Sequence, residues 1–235
     1  MDARTAQKEI ETVFSKYRTI TTADRHHIHA QTAGKLYELW VLASLIEEIT
    51  ARGYSVAFQG STLRFKSAPG YLKNKDPHFI IGGGAPSPDP WRIFVDVEFT
   101  TLSVMAPGLG ISGAIPTAAA PPPDHSAHYE ADIIVTTSSG PRPSPNDTAI
   151  VIECKAHANL AKGVIREILG TRRELSLLSP PTPSCLPDLT VGGALSPSIP
   201  ANPPIELRLV TTDSKATRYR QGPRYYGVEL KVDCP

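Results

Sequence analysis

The pattern of apolar and polar residues predicts two helices before the first strand. Over residues 5–18, apolar residues recur at the i, i+3, i+4, i+7 spacing of an amphipathic helix; they are Ile10, Val13, Phe14 and Tyr17. The second helix is predicted to begin after Asp24 or Thr32, either of which is a suitable N-cap, and to run to about Ala51. It is dense in Leu, Trp and Ile, which is typical of a helix buried in a core.

Short apolar runs with alternating polar residues predict the strands. YSVAFQ and STLRFKS are predicted to form a hairpin with Gly60 at its turn, and the stretch IIGGGAPSPDP after them a loop. Further strands are predicted at residues 91–101, 131–137, 148–155, 205–212 and 225–232. A helix is predicted over about residues 159–178, where the period of the apolar positions changes.

This order of elements predicts an α/β protein, with a mixed central β-sheet flanked by helices. A length of 235 residues suits a single domain, whose core we place at about residues 31–178 with late strands within 205–232. The 23 prolines are about twice the ordinary usage and predict long loops. Two Pro/Gly-rich insertions are predicted, at 107–123 and 179–204.

Composition narrows the class of protein. A formal net charge of +1 argues against a free-standing, strongly basic nucleic-acid binder, although it permits a local basic patch. Three cysteines without a CxxC pair predict a reducing compartment and no structural zinc. The charged N-terminus has no apolar signal region, and no apolar run reaches the roughly 18 residues of a membrane span. We therefore expect a cytoplasmic protein with no membrane partner.

The end of the strand at 148–155 is the first candidate for chemistry. Glu153 and Lys155 lie two residues apart, so they share one face of the strand. If Thr137 and Thr148 are partners across the hairpin, Asp132 falls opposite Glu153. Two carboxylates placed so close repel each other unless a cation lies between them. The pattern therefore predicts a site for a hard divalent ion such as Mg²⁺, which prefers carboxylate oxygens.

Two further residues belong to this prediction, each with a plainer alternative. Lys155 could orient or deprotonate a water, or neutralise charge on a phosphate, but it could also form a cross-strand ion pair with Glu130. Glu38 lies on an apolar row of the second helix, where a buried acid needs a partner such as a metal. Its alternative partner is a backbone group or Arg92. Asp96 and Glu98 have no matching lysine and are predicted to lie outside the site.

The segments EAD-IIVTT and TAIVIECKAH resemble the PD-(D/E)xK, or restriction-endonuclease-like, nuclease superfamily, over about residues 31–178. In that family an acid opens a hairpin strand, Glu-x-Lys ends the next strand, a helix follows, and an earlier helix often contributes a Glu. Asp132, Glu153 with Lys155, and Glu38 match these positions. Ala131 stands before the first acid, where the family commonly has proline.

The resemblance implies a restriction-endonuclease-like fold and Mg²⁺-dependent hydrolysis of DNA phosphodiester bonds, with Mn²⁺ as a possible substitute. It assigns Asp132, Glu153, Lys155 and Glu38 as catalytic residues, and the three acids among them as metal ligands. It also implies defence against foreign DNA. An RNA-specific nuclease remains an alternative. A catalytically inactive scaffold or nucleic-acid-binding module in a larger assembly is another, because some members of the superfamily have lost activity.

The helix after the motif carries the predicted DNA contacts. Lys162, Arg166 and Arg173 recur at steps of four and seven, which places them on one face. Such a face could neutralise backbone phosphates, or it could be a solvated surface paired with Glu167 or Glu174. Cutting both strands usually needs two active sites, so a homodimer or a partner subunit is also open.

Overall fold

The computed structural model describes residues 2–82, 90–105, 127–156, 160–178, 201–219 and 221–235. The helices are α1 (Ala3–Phe14), α2 (Thr22–His29), α3 (Ala33–Ala51), α4 (Leu102–Met105), α5 (Lys162–Leu175) and α6 (Gln221–Tyr225). The strands are β1 (Ser55–Gln59), β2 (His78–Gly82), β3 (Trp91–Thr100), β4 (His128–Thr136), β5 (Thr148–Lys155), β6 (Leu177–Leu178), β7 (Ala201–Asn202), β8 (Glu206–Thr211) and β9 (Val228–Val232).

Seven of these strands form one mixed sheet in the order β1-β2-β3-β4-β5-β8-β9. Strands β1 to β5 pair antiparallel in succession. Strand β8 pairs parallel with β5, and β9 pairs parallel with β8. A parallel neighbour requires a crossover, and α5 lies in the connection from β5 to β8. The predicted α/β class with a mixed sheet and helices is confirmed.

The sheet divides the core into two halves. The α3-side core contains the buried faces of α1 and α3 together with sheet residues such as Ile133 and Ile152. The α5-side core contains Ile165 and Ile168 of α5 and sheet residues such as Val151. Helix α3 is apolar on most sides because it is packed between α1 and the sheet. Neighbouring residues of β5 thus face different helices, which fixes where its final charged residues point.

The beginning of the sheet differs from the prediction. STLRFKS is not a strand, and β1 pairs instead with β2, which lies partly in the stretch predicted to be a loop. Leu63 and Phe65 are nonetheless buried in the α3-side core. The buried Asp24 carboxylate accepts a hydrogen bond from the Leu63 N–H at 2.8 Å. This side-chain contact satisfies the Leu63 N–H, so the segment packs its apolar residues without joining a ladder.

The helices before the sheet confirm the prediction in part. Helix α3 ends at Ala51 as predicted, and of the two predicted N-caps the structure selects Thr32; helix α1 stops at Phe14, and α2 is an additional helix. Thr32 is the N-cap of α3, whereas Asp24 lies within α2 in a capping box. No helix in the described ranges is both long and apolar enough to cross a membrane.

The hairpin of β4 and β5 confirms the predicted register in its body but not at its turn. Thr148 pairs with Thr136 rather than with Thr137, and a bulge follows. Beyond the bulge Ile133 pairs with Ile152, the register expected from the Thr137–Thr148 assumption. Of the Pro/Gly-rich insertions, 107–123 and residues 179–200 lie outside the described residues. The end of the second insertion contains β7, which pairs with β6.

Candidate active site

The candidate site lies where β4 and β5 separate. Their last main-chain pair is Ile133 with Ile152. At the next step, the Cys154 N–H donates to Asp132 Oδ2 at 2.6 Å, so a side chain replaces the main-chain acceptor. This bond fixes one oxygen of Asp132. Cys154 itself is buried in the α3-side core, as expected for a packing residue.

Asp96 on β3 lies opposite Asp132 in the register. The pairs on either side are regular, Val95 with Ile133 and Val97 with Ala131, but the central pair is interrupted. Asp96 has a φ of 50°, in the left-handed region that Asp adopts more readily than most residues. Val95 packs in the α3-side core and Val97 in the α5-side core. The alternation therefore breaks at Asp96, which turns its side chain toward α3.

Three carboxylates meet as a result. Carboxylate oxygens of Glu38, Asp96 and Asp132 all lie within 4.8 Å of one another. Lys35, one turn before Glu38 on α3, donates from Nζ to Glu38 Oε2 at 2.6 Å and also to Asp96 Oδ2. The Lys35 side chain is only 8% exposed, so its ammonium group is held by these acids rather than by water.

Glu153 and Lys155 extend the cluster into a cleft beside α5. Lys155 Nζ lies 3.4 Å from Glu153 Oε2. The cleft has a volume of about 590 Å³, and Asp132, Glu153 and Lys155 line it together. Its other polar lining residues are His128, Tyr129, Glu130, Glu167 and Thr171. A solvent-accessible cleft of this size could admit a phosphate group and its neighbouring atoms.

The buried acids of the site carry more formal negative charge than the two lysines beside them can neutralise. Burial, reinforced by the charge of Asp132, raises the pKa of Glu153 to about 8. Burial also raises the pKa of Asp132, although the Cys154 N–H opposes it, and raises the pKa of Glu38 to about 7 against the effect of Lys35. The raised pKa values of these acids indicate that the site favours additional positive charge.

The pKa of Lys155 is also raised, but for a lysine this favours the charged form. Burial disfavours its ammonium form, but the negative charges of Glu153 and Asp132 outweigh that effect and raise the pKa of Lys155. The group therefore remains a cation at neutral pH. The alternative pairing with Glu130 is absent from the described residues; Glu130 lies opposite Glu98 of β3 instead.

The structure thus brings Asp132, Glu153 and Lys155 to one cleft. Glu38 is not among the lining residues of this cleft, but its carboxylate lies close to that of Asp132. Arg92 is not the partner of Glu38, since it donates to the Thr137 carbonyl oxygen. Like-charged Glu38 and Asp132 are separated by less than 4.8 Å between ligand oxygens, as a shared cation site would require.

Two residues of the cluster were not expected. Asp96 was predicted to lie outside the site and is part of it; the expected strict alternation of β3 fails at this residue. Lys35 was missed altogether. The available signals were an acid in the middle of an apolar strand and a lysine at i−3 from Glu38 on a buried helix.

The predicted DNA-contacting residues, Lys162, Arg166 and Arg173, are all exposed on α5. Within the described part of the chain none of them forms an ion pair. Glu174, one alternative partner, accepts from the Ser103 N–H at 3.1 Å. Glu167, the other, lines the cleft. The face therefore has positive charge available for an anionic ligand.

Comparison of the chain with family models, with curated proteins and with solved structures finds no match. The local chemistry of the cleft is therefore the basis for a functional conclusion.

Proposed function

We propose that the protein is a metal-dependent nuclease of the PD-(D/E)xK type that hydrolyses phosphodiester bonds in DNA. The observation that carries this proposal is the meeting of Asp132, Glu153 and Lys155 in one open cleft. The arrangement around them supports it: an acid on one hairpin strand, Glu-x-Lys on the next, α5 after them and Glu38 on an earlier helix. Under this proposal the core is restriction-endonuclease-like.

The donor set fits Mg²⁺, for which Mn²⁺ could substitute. Asp132 and Glu153 offer carboxylate oxygens, the preferred ligands of this ion, and the raised pKa values of both acids favour a cation in place of a proton. Glu38 is held by Lys35 and would contribute through water. When bound, the ion would act as a Lewis acid on the scissile phosphate and lower the pKa of a bound water.

Lys155 would act mainly through its charge. Since its pKa is raised, the ammonium form persists at neutral pH and is a poor general base. A fixed positive charge at the cleft would instead stabilise the negative charge that develops on the phosphate during hydrolysis. The 3.4 Å contact with Glu153 holds the ammonium group at the cleft. The side chain is 24% exposed, so a phosphate can approach it from the open side.

The basic face of α5 would hold the nucleic acid. Lys162, Arg166 and Arg173 are exposed and lie on the helix whose other residues, Glu167 and Thr171 among them, line the cleft. Contacts with backbone phosphates position a duplex without reading its sequence. We assign DNA as the substrate, and a homodimer as the arrangement for cutting both strands.

A non-catalytic module is the second candidate. It is favoured by Lys35, which already neutralises part of the acidic cluster without any metal. Titration calorimetry with Mn²⁺ separates the two functions, because the nuclease requires heat of binding that disappears in Asp132→Asn. A scaffold would give no such heat.

The direct test is cleavage of plasmid, linear DNA and RNA with Mg²⁺ or Mn²⁺, and with EDTA as the blank. We expect metal-dependent cleavage of DNA by the wild type and at least a hundredfold loss in Lys155→Met. Lys231→Met is the matched control, because Lys231 lies on β9, outside the cleft, and pairs with Asp233 just after that strand. Wild-type protein that cuts none of these substrates would refute the proposal.

A further inference from the structure

We propose that Lys35 is an internal cation that confines the site to a single metal ion, an inference that rests on the proposed function. Its ammonium group contacts both Glu38 and Asp96 and occupies the place between them, so that Asp132 and Glu153 alone remain as direct metal ligands. Lys35 is a positioning residue in this role, since it acts through the carboxylates that it holds.

The first support is the geometry of the acidic cluster. Glu38, Asp96 and Asp132 present oxygens within 4.8 Å of one another, a spacing that a divalent ion could bridge. Lys35 contacts two of these three acids, and its side chain is 8% exposed. A buried ammonium group is costly unless anions surround it, so the pairing is strongly held. The place of a second ion is thus filled by the protein's own cation.

The second support is the position of the Lys35 charge. Lys35 already places one buried positive charge between Glu38 and Asp96. A divalent ion bound by the same two acids would lie next to this ammonium group, and two cations so close in a largely buried cluster repel each other. Binding of a second ion therefore requires the loss of the Lys35 charge.

The third support is the separation between the two lysines. Lys35 approaches from α3 and contacts Glu38 and Asp96, whereas Lys155 approaches from β5 and lies 3.4 Å from Glu153. Asp132 lies between them, with one oxygen fixed by the Cys154 N–H. In the described structure no ammonium group contacts Asp132 within ion-pair distance. Asp132 therefore remains for a metal, together with Glu153, whose 3.4 Å contact with Lys155 is longer than the 2.6 Å contact of Glu38 with Lys35.

The experiment counts bound ions rather than activity. Mn²⁺ is titrated by calorimetry, with electron paramagnetic resonance to measure free Mn²⁺, into the wild type, Lys35→Met and Lys35→Arg. We expect one ion for the wild type, two for Lys35→Met, and one again for Lys35→Arg, which restores the charge. Lys35→Met with Asp96→Asn should return to one ion, because it removes a ligand of the new site. Lys231→Met serves as the control and should bind one.

The outcomes separate this inference from the nuclease itself. A wild type that binds no Mn²⁺, with Lys35→Met binding one, would refute the metal-dependent nuclease but uphold the role of Lys35. Equal numbers of ions in the wild type and Lys35→Met, or two in the wild type, would overturn the role of Lys35 whether or not DNA is cut.

Lys35→Met could fail to fold in EDTA because it leaves buried acids without a cation. In that case Mn²⁺ is added and folding is followed by circular dichroism. Recovery of the wild-type spectrum with two bound ions supports the inference, since the added ion then replaces the ammonium group. Failure to recover at any Mn²⁺ concentration overturns it.

Discussion

Two ionic clusters contact helix α3, and they differ in how deeply their acids are buried. The first, the Arg208 cluster, surrounds the guanidinium group of Arg208 with Glu48, Glu206 and Glu229. Glu48 accepts two bonds from Arg208, at 2.7 and 3.0 Å. Arg208 is 7% exposed, while its acids are between 31% and 53% exposed. Here a buried cation is satisfied by acids that keep contact with water.

In the second, the site cluster, the acids are buried as well as the cation: Glu38 is 17% and Asp96 6% exposed, beside Lys35 at 8%. Hydrogen bonds from Arg208 lower the pKa of Glu48, whereas burial raises the pKa of Glu153 to about 8. Both clusters consist of carboxylates that pair with Lys or Arg at ion-pair distances. The direction of the pKa shift therefore distinguishes them better than the presence of salt bridges does. It marks the site cluster as one that would gain from a further cation.

The largest expected difference is in cleavage. Asp132→Asn should reduce metal-dependent DNA cleavage by about a thousandfold, because it removes a charged metal ligand while Asn can still accept the Cys154 N–H bond. Glu48→Gln should leave cleavage within about twofold of the wild type. Cleavage rates under saturating Mg²⁺ provide the measurement.

Unfolding in urea completes the test of this pair of variants. We expect Glu48→Gln to lose about 1–2 kcal/mol of unfolding free energy, since it weakens a charged hydrogen bond to a buried guanidinium. Asp132→Asn should lose less than that. Equal cleavage by Asp132→Asn and the wild type would contradict the assignment of the site cluster.

The next largest effect concerns the cations. Arg208→Met should lower the unfolding free energy by about 3 kcal/mol, since three acids lose their common partner. Lys155→Met should change it by less than about 1 kcal/mol in EDTA, because Glu153 can take up a proton instead. Urea denaturation measures both. A greater loss in Lys155→Met than in Arg208→Met would show that the site cluster, too, is mainly structural.

Much of the site could be predicted because it depends on local patterns. The two-residue spacing of Glu153 and Lys155 sets their common face, and the hairpin register brings Asp132 opposite. The wrong partner at the turn did no harm, since the bulge at Thr136 shifts the register to the one assumed. The positions of these residues therefore followed from the two-residue period and from the register in the body of the hairpin.

The remainder depends on long-range contacts that periodicity does not encode. Asp96 joins the site only because its left-handed φ breaks the alternation of β3, and the charged partner that accommodates it, Lys35, lies far away in sequence. The missed strand β2 also depends on a long-range contact: it pairs with β1, whereas in the segment expected to do so the Leu63 N–H donates to the side chain of Asp24. Tertiary contacts decided both against the local pattern.

The clusters should also respond to pH in opposite directions in metal-free protein. Glu153 has a folded pKa of about 8 against an ordinary 4.5, so the folded state retains a proton that the unfolded chain releases. Its contribution to stability is present at low pH and is lost as the pH rises from about 4.5 to 8.

Glu48 behaves in the reverse sense, because its folded pKa is lowered. Its contribution is present above its ordinary pKa and is lost as the pH falls through the folded value. Urea unfolding in EDTA across the pH range measures both. Glu153→Gln should reduce the loss of stability between about pH 4.5 and 8, and Glu48→Gln should flatten the acid side of the profile. The loss that remains in Glu153→Gln belongs to Glu38 and Asp132, whose pKa values are also raised. An unchanged slope in Glu153→Gln would contradict the raised pKa of Glu153.

The smallest expected effect is in DNA binding by the basic face of α5, which the Arg208 cluster lacks. The triple variant Lys162→Ala, Arg166→Ala and Arg173→Ala, made on Asp132→Asn to prevent cleavage, should weaken binding about tenfold at moderate salt. Each lost phosphate contact should also reduce the slope of log K against log salt by about 0.9. The equally charged triple Lys8→Ala, Lys16→Ala and Arg52→Ala, exposed on α1 and near the ends of α1 and α3, is the control. Fluorescence anisotropy over a salt series measures affinity and slope together. Equal slopes for the two triple variants would mean that α5 makes no phosphate contacts. Net charge alone would then set the affinity for DNA.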